Sequence, residues 1–559
     1  MLLDVYPHRA SYQPSETVRL LVSLASPTTL EAGAEIHVVA SITFLADEVA
    51  RLMEMIQLTG RMPVTAELLW TPPPSAPRGY GVDLRALGAS GQLLAAASTA
   101  FDVLEHWTQA PRYGFLTDFH PDRTDVEQTM GWLTRYHING LQFYDWMYRH
   151  DQLLPPADIF HDPLGRRLSL STVRKLINAA HARGIAAMPY AAVYGASPPF
   201  FQQHPDWALL DAQGKPIPFA DGFLMIMNPA PGLPWSEHLL SQFAEVLEKT
   251  AFDGIHLDQY GDPQVAYDVR GDQVDLAQAL ARFIDQTKET ATEARPGGAV
   301  VFNCVGNWPI EDATQSKQDF VYIEVWPPKT MYRDLHSLIV AAQALSGGKP
   351  VVLAAYIDPA RGRNARLADA VILASGGYHI ELGEPRSMLA DPYFPNYGQM
   401  NDELARVTRC IYDFAVRYEN VLALNTCDAT PAYEESVIVE GLNTDVHTTC
   451  DKIWPIVREG EAAIGLSLIN LLELNSAEWT DWLEADPPVL KDHVVRIYTD
   501  RPVGRVWWAT PDNGKPAGQV LAVHRGQDRG QAYISFRLPS LAYWDLVVLE
   551  WADSYREET

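Results

Sequence analysis

A chain of 559 residues, 47% hydrophobic and 20% charged, is too long for one compact core and predicts two to four globular domains. Its formal net charge of -27, with no Lys/Arg run, argues against nucleic acid, which is held by clustered cations that displace phosphate counterions, and against anionic membranes. A neutral substrate is indifferent to that charge, which leaves sugars, peptides and small neutral metabolites.

The four cysteines, Cys304, Cys410, Cys427 and Cys450, form no CxxC and have no His at zinc-ligand spacing, so neither a metal nor a cofactor is expected. Isolated buried thiols are the first expectation, with a Cys427–Cys450 disulfide as the alternative. The opening "MLLDVYPHRASYQP" has no basic and apolar leader pattern, and no stretch reaches the ~18 apolar residues of a membrane helix. The expectation is a cytoplasmic protein, or an extracellular one if an export segment has been removed.

In chain order, residues 1–110 read as short alternating strands such as "SETVRLLVSLA" and "AEIHVVASITF", with "TPPPSAPRG" as a separator. That spacing predicts an N-terminal Ig-like β-sandwich. Within it "DEVARLMEMIQ" reads as a helix. Over 111–425, short apolar runs alternate with amphipathic stretches. The runs are "YGFLTDF", "GLQFYDW", "IAAMPYAAVY", "GIHLDQY", "AVVFNCVG", "FVYIEVW", "PVVLAAYI" and "YHIEL". Strict alternation over about eight units predicts a parallel (β/α)8 TIM barrel. A ninth run, "FLMIMN" at 223–228, follows no clear helix and is assigned to a hairpin in the long loop after the third strand. Gly376-Gly377 reads as a helix stop. Residues 426–559 return to strands and turns, predicting a C-terminal β-sandwich.

Barrel enzymes carry their sites at the C-terminal ends of the strands. Here the strands finish on acids: near Asp118, at Asp145, Asp258 and Glu324, and with Glu381 in the eighth. Three of these acids have aromatic neighbours, Tyr144 and Trp146, Tyr260 beyond Gln259, and Trp326. Aromatic side chains with an apolar face and a polar tip suit a sugar ring. Two carboxyls across a pocket are what glycosidic cleavage needs, one ionised and attacking, the other protonated and donating. Glu324, after "FVYI" and beside Trp326, fits the neutral acid. Asp258, near His256, Gln259 and Asp262, fits the ionised nucleophile. His256 is read either as a satisfied core histidine or as a contact of the nucleophile. Tyr194 and Trp308 are read as either sugar contacts or loop anchors, His150 and His161 as surface residues, and "PYFPNYG" as an aromatic rim loop.

The motifs "YGFLTDF", "HINGLQFYDWMYRHDQLLPP", "MPYAAVYGA", "FDGIHLDQYGD", "YIEVWPP" and "GGYHIELGE" resemble glycoside hydrolase family 66, the dextranases and cycloisomaltooligosaccharide glucanotransferases. The resemblance implies Asp258 as nucleophile, Glu324 as general acid/base and Asp145 as an acid holding the sugar at the cleavage point. It also implies a retaining, endo-acting enzyme on α-1,6-linked glucan, whether dextran or isomaltooligosaccharide. Cyclising members are expected to carry an inserted module for which these loops leave no space, which favours hydrolysis. The alternatives are a glucanotransferase and a non-catalytic α-glucan-binding protein.

Overall fold

The computed structural model describes residues 2–25, 33–58, 63–447 and 449–553. Its centre is an eight-stranded parallel sheet. The strands are β1 (Tyr113–Leu116), β2 (Gly140–Phe143), β3 (Ala186–Ala192), β4 (Gly254–Asp258), β5 (Ala299–Val305), β6 (Phe320–Glu324), β7 (Val351–Ala354) and β8 (Tyr378–His379). They pair in sequence order from β1 to β8. The sheet curls back on itself, and the Phe115 amide of β1 donates to the Leu382 carbonyl just past β8 at 3.1 Å.

Because side chains alternate across a strand, each strand has an inward and an outward set. Tyr113, Phe115, Met188, Val301, Tyr322, Val352, Ala354 and Ile380 fill the interior. Their neighbours Leu141, Ala187, Ile255, Leu257, Phe302 and Ile323 join the core beneath the surrounding helices. Both faces being buried explains the near-continuous apolar runs of the sequence. The helices are α1 (Val126–Arg135), α2 (Leu170–Ala182), α3 (Pro234–Lys249), α4 (Leu276–Ala294), α5 (Ile310–Gln315), α6 (Tyr332–Ser346), α7 (Gly362–Ala374) and α8 (Asp402–Arg417). Gly376 follows α7 with φ +75°, a conformation that costs glycine little, and stops the helix as its sequence predicts.

Leu224–Ile226 pairs with Pro218–Phe219 and Gly195–Ala196 in a small antiparallel sheet over the end of β3, so the ninth apolar run is a loop hairpin. One expectation fails. Asp47–Gln57 is a strand, not a helix, and pairs along its length with Glu35–Phe44. Its Ala, Arg, Leu, Met and Glu residues favour helix locally, but Ala50, Leu52 and Ile56 recur at even positions and turn inward together. Pairing with the adjacent strand overrides the local preference.

N-terminal to the barrel, a three-stranded and a four-stranded antiparallel sheet share one apolar cluster that includes Val22, Ile36 and Phe101. C-terminal to it, a six-stranded and a four-stranded antiparallel sheet share another that includes Leu466 and Phe536. Buried ion pairs tie the first set to the barrel: Arg112 meets Asp102 at 2.7 Å and Glu419 at 3.4 Å. Arg366 of α7 reaches Asp512 in the C-terminal part at 2.7 Å. All four cysteines are free thiols, so the Cys427–Cys450 disulfide does not form. Only Cys304 is fully buried.

Candidate active site

A cavity of about 480 Å³ opens at the C-terminal ends of the strands. Its floor and walls come from inward positions: Gln142 on β2 and Tyr144 just after it, Tyr190 on β3, His256 and Asp258 on β4, Asn303 on β5, Tyr322 and Glu324 on β6, and Tyr356 beyond β7. Asp145, Tyr194, Gln259, Tyr260 and Trp326 also line it. Nine of the residues proposed for the site from the sequence, with Asp258 and Glu324 among them, therefore meet in one place.

The two carboxyls share a hydrogen-bond donor. Asn303 Nδ2 donates to Asp258 Oδ1 at 2.8 Å and to Glu324 Oε2 at 2.9 Å. The hydrogens of an amide diverge by about 120°, which corresponds to roughly 5 Å between the accepting oxygens. Each acid has a second donor, a tyrosine hydroxyl: Tyr190 to Asp258 Oδ2 at 2.7 Å and Tyr356 to Glu324 Oε1 at 2.8 Å. Burial pushes the Asp258 carboxyl up to about 7, with the nearby Glu324 adding to the rise and the Tyr190 and Asn303 hydrogen bonds opposing it. Burial raises Glu324 as well, against hydrogen bonds from Asn303 and Tyr356. Two acids this close in a poorly solvated site titrate as a coupled pair, the charge of one favouring the neutral form of the other.

Of the sequence neighbours of Asp258, Gln259 stabilises its ionised form, and does so through its backbone N–H. His256 turns its Nδ1 to the Tyr113 hydroxyl at 3.2 Å, and burial holds it down to about 3, so it is a neutral floor residue satisfied inside the barrel. Gln259 spends its amide on the Trp308 carbonyl at 3.0 Å and the Gly261 N–H at 2.6 Å, shaping the turn after β4.

Asp145 has φ +52°, a left-handed conformation. That kink breaks the strand alternation just after β2. Asp145 lines the cavity, beside Arg166, whose Nη2 donates to the Asp145 carbonyl at 3.0 Å and lies 3.5 Å from its Oδ2. Burial lifts the Asp145 carboxyl to about 7 despite that guanidinium. The next residue, Trp146, is turned into the core instead, fully buried, with Nε1 donating to the Tyr190 carbonyl at 3.2 Å. It is not a sugar contact but the support behind Tyr190. Trp146→Ala is expected to cost about 3–5 kcal/mol of stability, read as a lowered thermal unfolding midpoint.

Two more residues lie outside the cavity: Trp308, which takes the loop-anchor alternative, and Glu381, expected as a substrate contact. Trp308 is half-buried against the core and does not line the cavity; its carbonyl anchors Gln259. Glu381 also lies outside the cavity. Tyr378 and Ile380 take the inward positions, so Glu381 points outward between barrel and helices, where Tyr412 of α8 donates to its Oε1 at 3.0 Å. Glu381, Asp369 and His379 bring ligand-type atoms within 4.8 Å of one another, and among the described residues this is the one group close enough to hold a metal ion.

His150, read as a surface residue, is buried at the cavity wall with burial holding it down to about 4, whereas His161 is exposed. Tyr393 and Phe394 of "PYFPNYG" line the cavity as a rim loop should, and Phe394 stacks on Tyr144 with ring centres 4.5 Å apart. Sequence reasoning missed Tyr190, Asn303, Tyr322 and Tyr356. The signal was the two-residue alternation: each sits on the parity of an acid or of an interior residue of its own or an adjoining strand.

Known proteins resemble this chain over most of its length. The model of Glycosyl hydrolase family 66 matches residues 7–548. A cycloisomaltooligosaccharide glucanotransferase of Niallia circulans is 24% identical over 702 aligned positions, covering 98% of this chain and 71% of that protein. A dextranase of Streptococcus salivarius is 22% identical, over 84% of this chain and 67% of that protein. The crystal structure of a Paenibacillus sp. cycloisomaltooligosaccharide glucanotransferase, complexed with cycloisomaltoheptaose, has the same fold. Its TM-score is 0.91 at 23% identity, over 97% of this chain and 99% of that one. The chain belongs to glycosyl hydrolase family 66.

Proposed function

We propose that this chain is a retaining, endo-acting hydrolase of α-1,6-linked glucan, with Asp258 as nucleophile and Glu324 as general acid/base. The observation that carries the reading is the shared Asn303 nitrogen, 2.8 Å from one carboxylate and 2.9 Å from the other. Retaining glycosidases place their carboxyls about 5–5.5 Å apart, too close for an intervening water, and inverting ones about 6.5–9.5 Å.

On this reading, the ionised Asp258 attacks the anomeric carbon while Glu324 protonates the departing glycosidic oxygen, leaving a covalent glycosyl-enzyme. Glu324 then takes a proton from water, which releases the sugar from Asp258. With both carboxyls protonated at low pH there is no nucleophile, and with both ionised at high pH there is no acid, so kcat/KM is expected to follow a bell. The tyrosines around the cavity supply apolar faces and hydroxyls for a sugar. A volume of about 480 Å³ accommodates roughly two to three glucosyl rings. Asp145 is read as an acid that grips the ring at the cleavage point.

The second reading is transglycosylation, in which a sugar hydroxyl replaces water in the second step. It is favoured by the relatives named as glucanotransferases. Against cyclisation stands chain length: 702 aligned positions against 559 residues leave at least 143 positions (702 − 559) of that relative with no counterpart here. A binding protein without turnover has no use for two buried acids held on one amide. The flanking sheet pairs are read as β-sandwiches, Ig-like at the N-terminal side. Incubation with dextran and with isomaltooligosaccharides, followed by product sizing, is expected to yield short linear isomaltooligosaccharides. Products longer than the starting oligosaccharide would favour transfer, and no turnover of any α-1,6-glucan would overturn the proposal.

A further inference from the structure

Asn303 lies one step beyond the Leu257–Phe302 pairing of β4 and β5, which sets it beside Asp258 on the inward face. It is 6% exposed. Its orientation is fixed by chemistry: only the NH2 end of an amide can face two carboxylate oxygens, since its carbonyl would be repelled by both. That orientation leaves Asn303 Oδ1 buried without a partner. A buried acceptor is seldom left unpaired, and here both donors of the same amide are committed to the two acids.

We propose that Asn303 is the positioning residue of the site, a spacer whose single amide nitrogen sets the distance between Asp258 and Glu324. This rests on the reading of those two acids as the reacting pair. The spacing follows from the fork of the two N–H bonds, which a longer or one-pronged donor cannot reproduce. Asp258 Oδ1 and Glu324 Oε2 accept from Asn303, and Asp258 Oδ2 accepts from Tyr190. Glu324 Oε1 accepts from the Tyr356 hydroxyl at 2.8 Å, so the outer oxygens have matching partners and the inner pair shares one donor.

The titratable groups lining the cavity with the pair include Tyr144, Asp145, Tyr190, Tyr194, His256, Tyr322 and Tyr356, and burial holds His256 neutral. Burial raises all five tyrosines, so they stay neutral through the working range. Asn303 stabilises the ionised form of both acids by donating to them. Its loss therefore moves both limbs of the bell towards higher pH.

The test uses the full chain with Asn303→Ala and Asn303→Asp, an isomaltooligosaccharide substrate and pH profiles of kcat and kcat/KM. Asn303→Ala is expected to lose about 10–100-fold in kcat with KM changed little, and both limbs are expected to shift upward by about one pH unit. Asn303→Asp keeps the size but replaces the donor with a third acid, and is expected to lose more than Asn303→Ala. Loss of less than threefold in both variants, or a loss with unmoved limbs, overturns the inference. Asp258→Asn and Glu324→Gln run alongside separate the two claims. If either keeps full activity, the reading of the pair has failed; if both are inactive and Asn303→Ala behaves as the parent, only the spacer role has failed. Thermal melts guard against misfolding, and a variant that melts early is judged by the position of its limbs.

Discussion

Asp258→Asn is expected to fold as the parent does and to lose about 10⁴–10⁶-fold in kcat on isomaltooligosaccharides. The amide has nearly the volume of the carboxylate but no charge and no nucleophilic oxygen, so the covalent step has no partner. Removing a nucleophile alone costs about 10⁶-fold in a well-dissected hydrolase. The fold should tolerate the change. The carboxyl is buried and raised to about 7, so it is the charge, not its absence, that burial penalises. Initial rates and an unfolding curve on one preparation check both halves of the expectation. A variant within tenfold of the parent would remove Asp258 from the reaction.

Glu324→Gln is expected to show a loss that depends on the leaving group. On an isomaltooligosaccharide the departing alkoxide needs a proton, and loss of general acid catalysis costs about 10²–10⁴-fold. On a nitrophenyl isomaltoside the departing phenolate needs none, so the first step survives and the glycosyl-enzyme accumulates for want of a base. The expected signature is a burst of nitrophenol about one enzyme equivalent in size, followed by slow turnover. Equal loss on both substrates, without a burst, would assign Glu324 a structural role.

The barrel is legible in the sequence because a parallel sheet covered on both faces leaves apolar runs of fixed length between amphipathic helices. The two acids are legible because they end such runs. Other features depended on parity within a strand. Glu381 ends an apolar run like the others, but it sits one residue off the inward set and faces the helices. Trp146 would have kept the parity of Tyr144, but the left-handed Asp145 between them rotates the chain and sends the indole into the core. Asn303 and Tyr356 carry no charge and leave no mark in a scan for acids, though both hold an acid directly. The strand Asp47–Gln57 was hidden for another reason: its residue types favour helix, and only the pairing with Glu35–Phe44 decides against it.

The spacing of the two carboxyls is the centre of this account, and the anomeric form of the first product tests it most directly. Proton NMR on the unmodified enzyme with an isomaltooligosaccharide, recorded within minutes and before mutarotation, separates the outcomes. The account predicts the α-anomer first, with the β-anomer growing in later. A β-anomer formed first would mean direct attack by water, and would contradict a nucleophilic Asp258 held beside Glu324 by one amide.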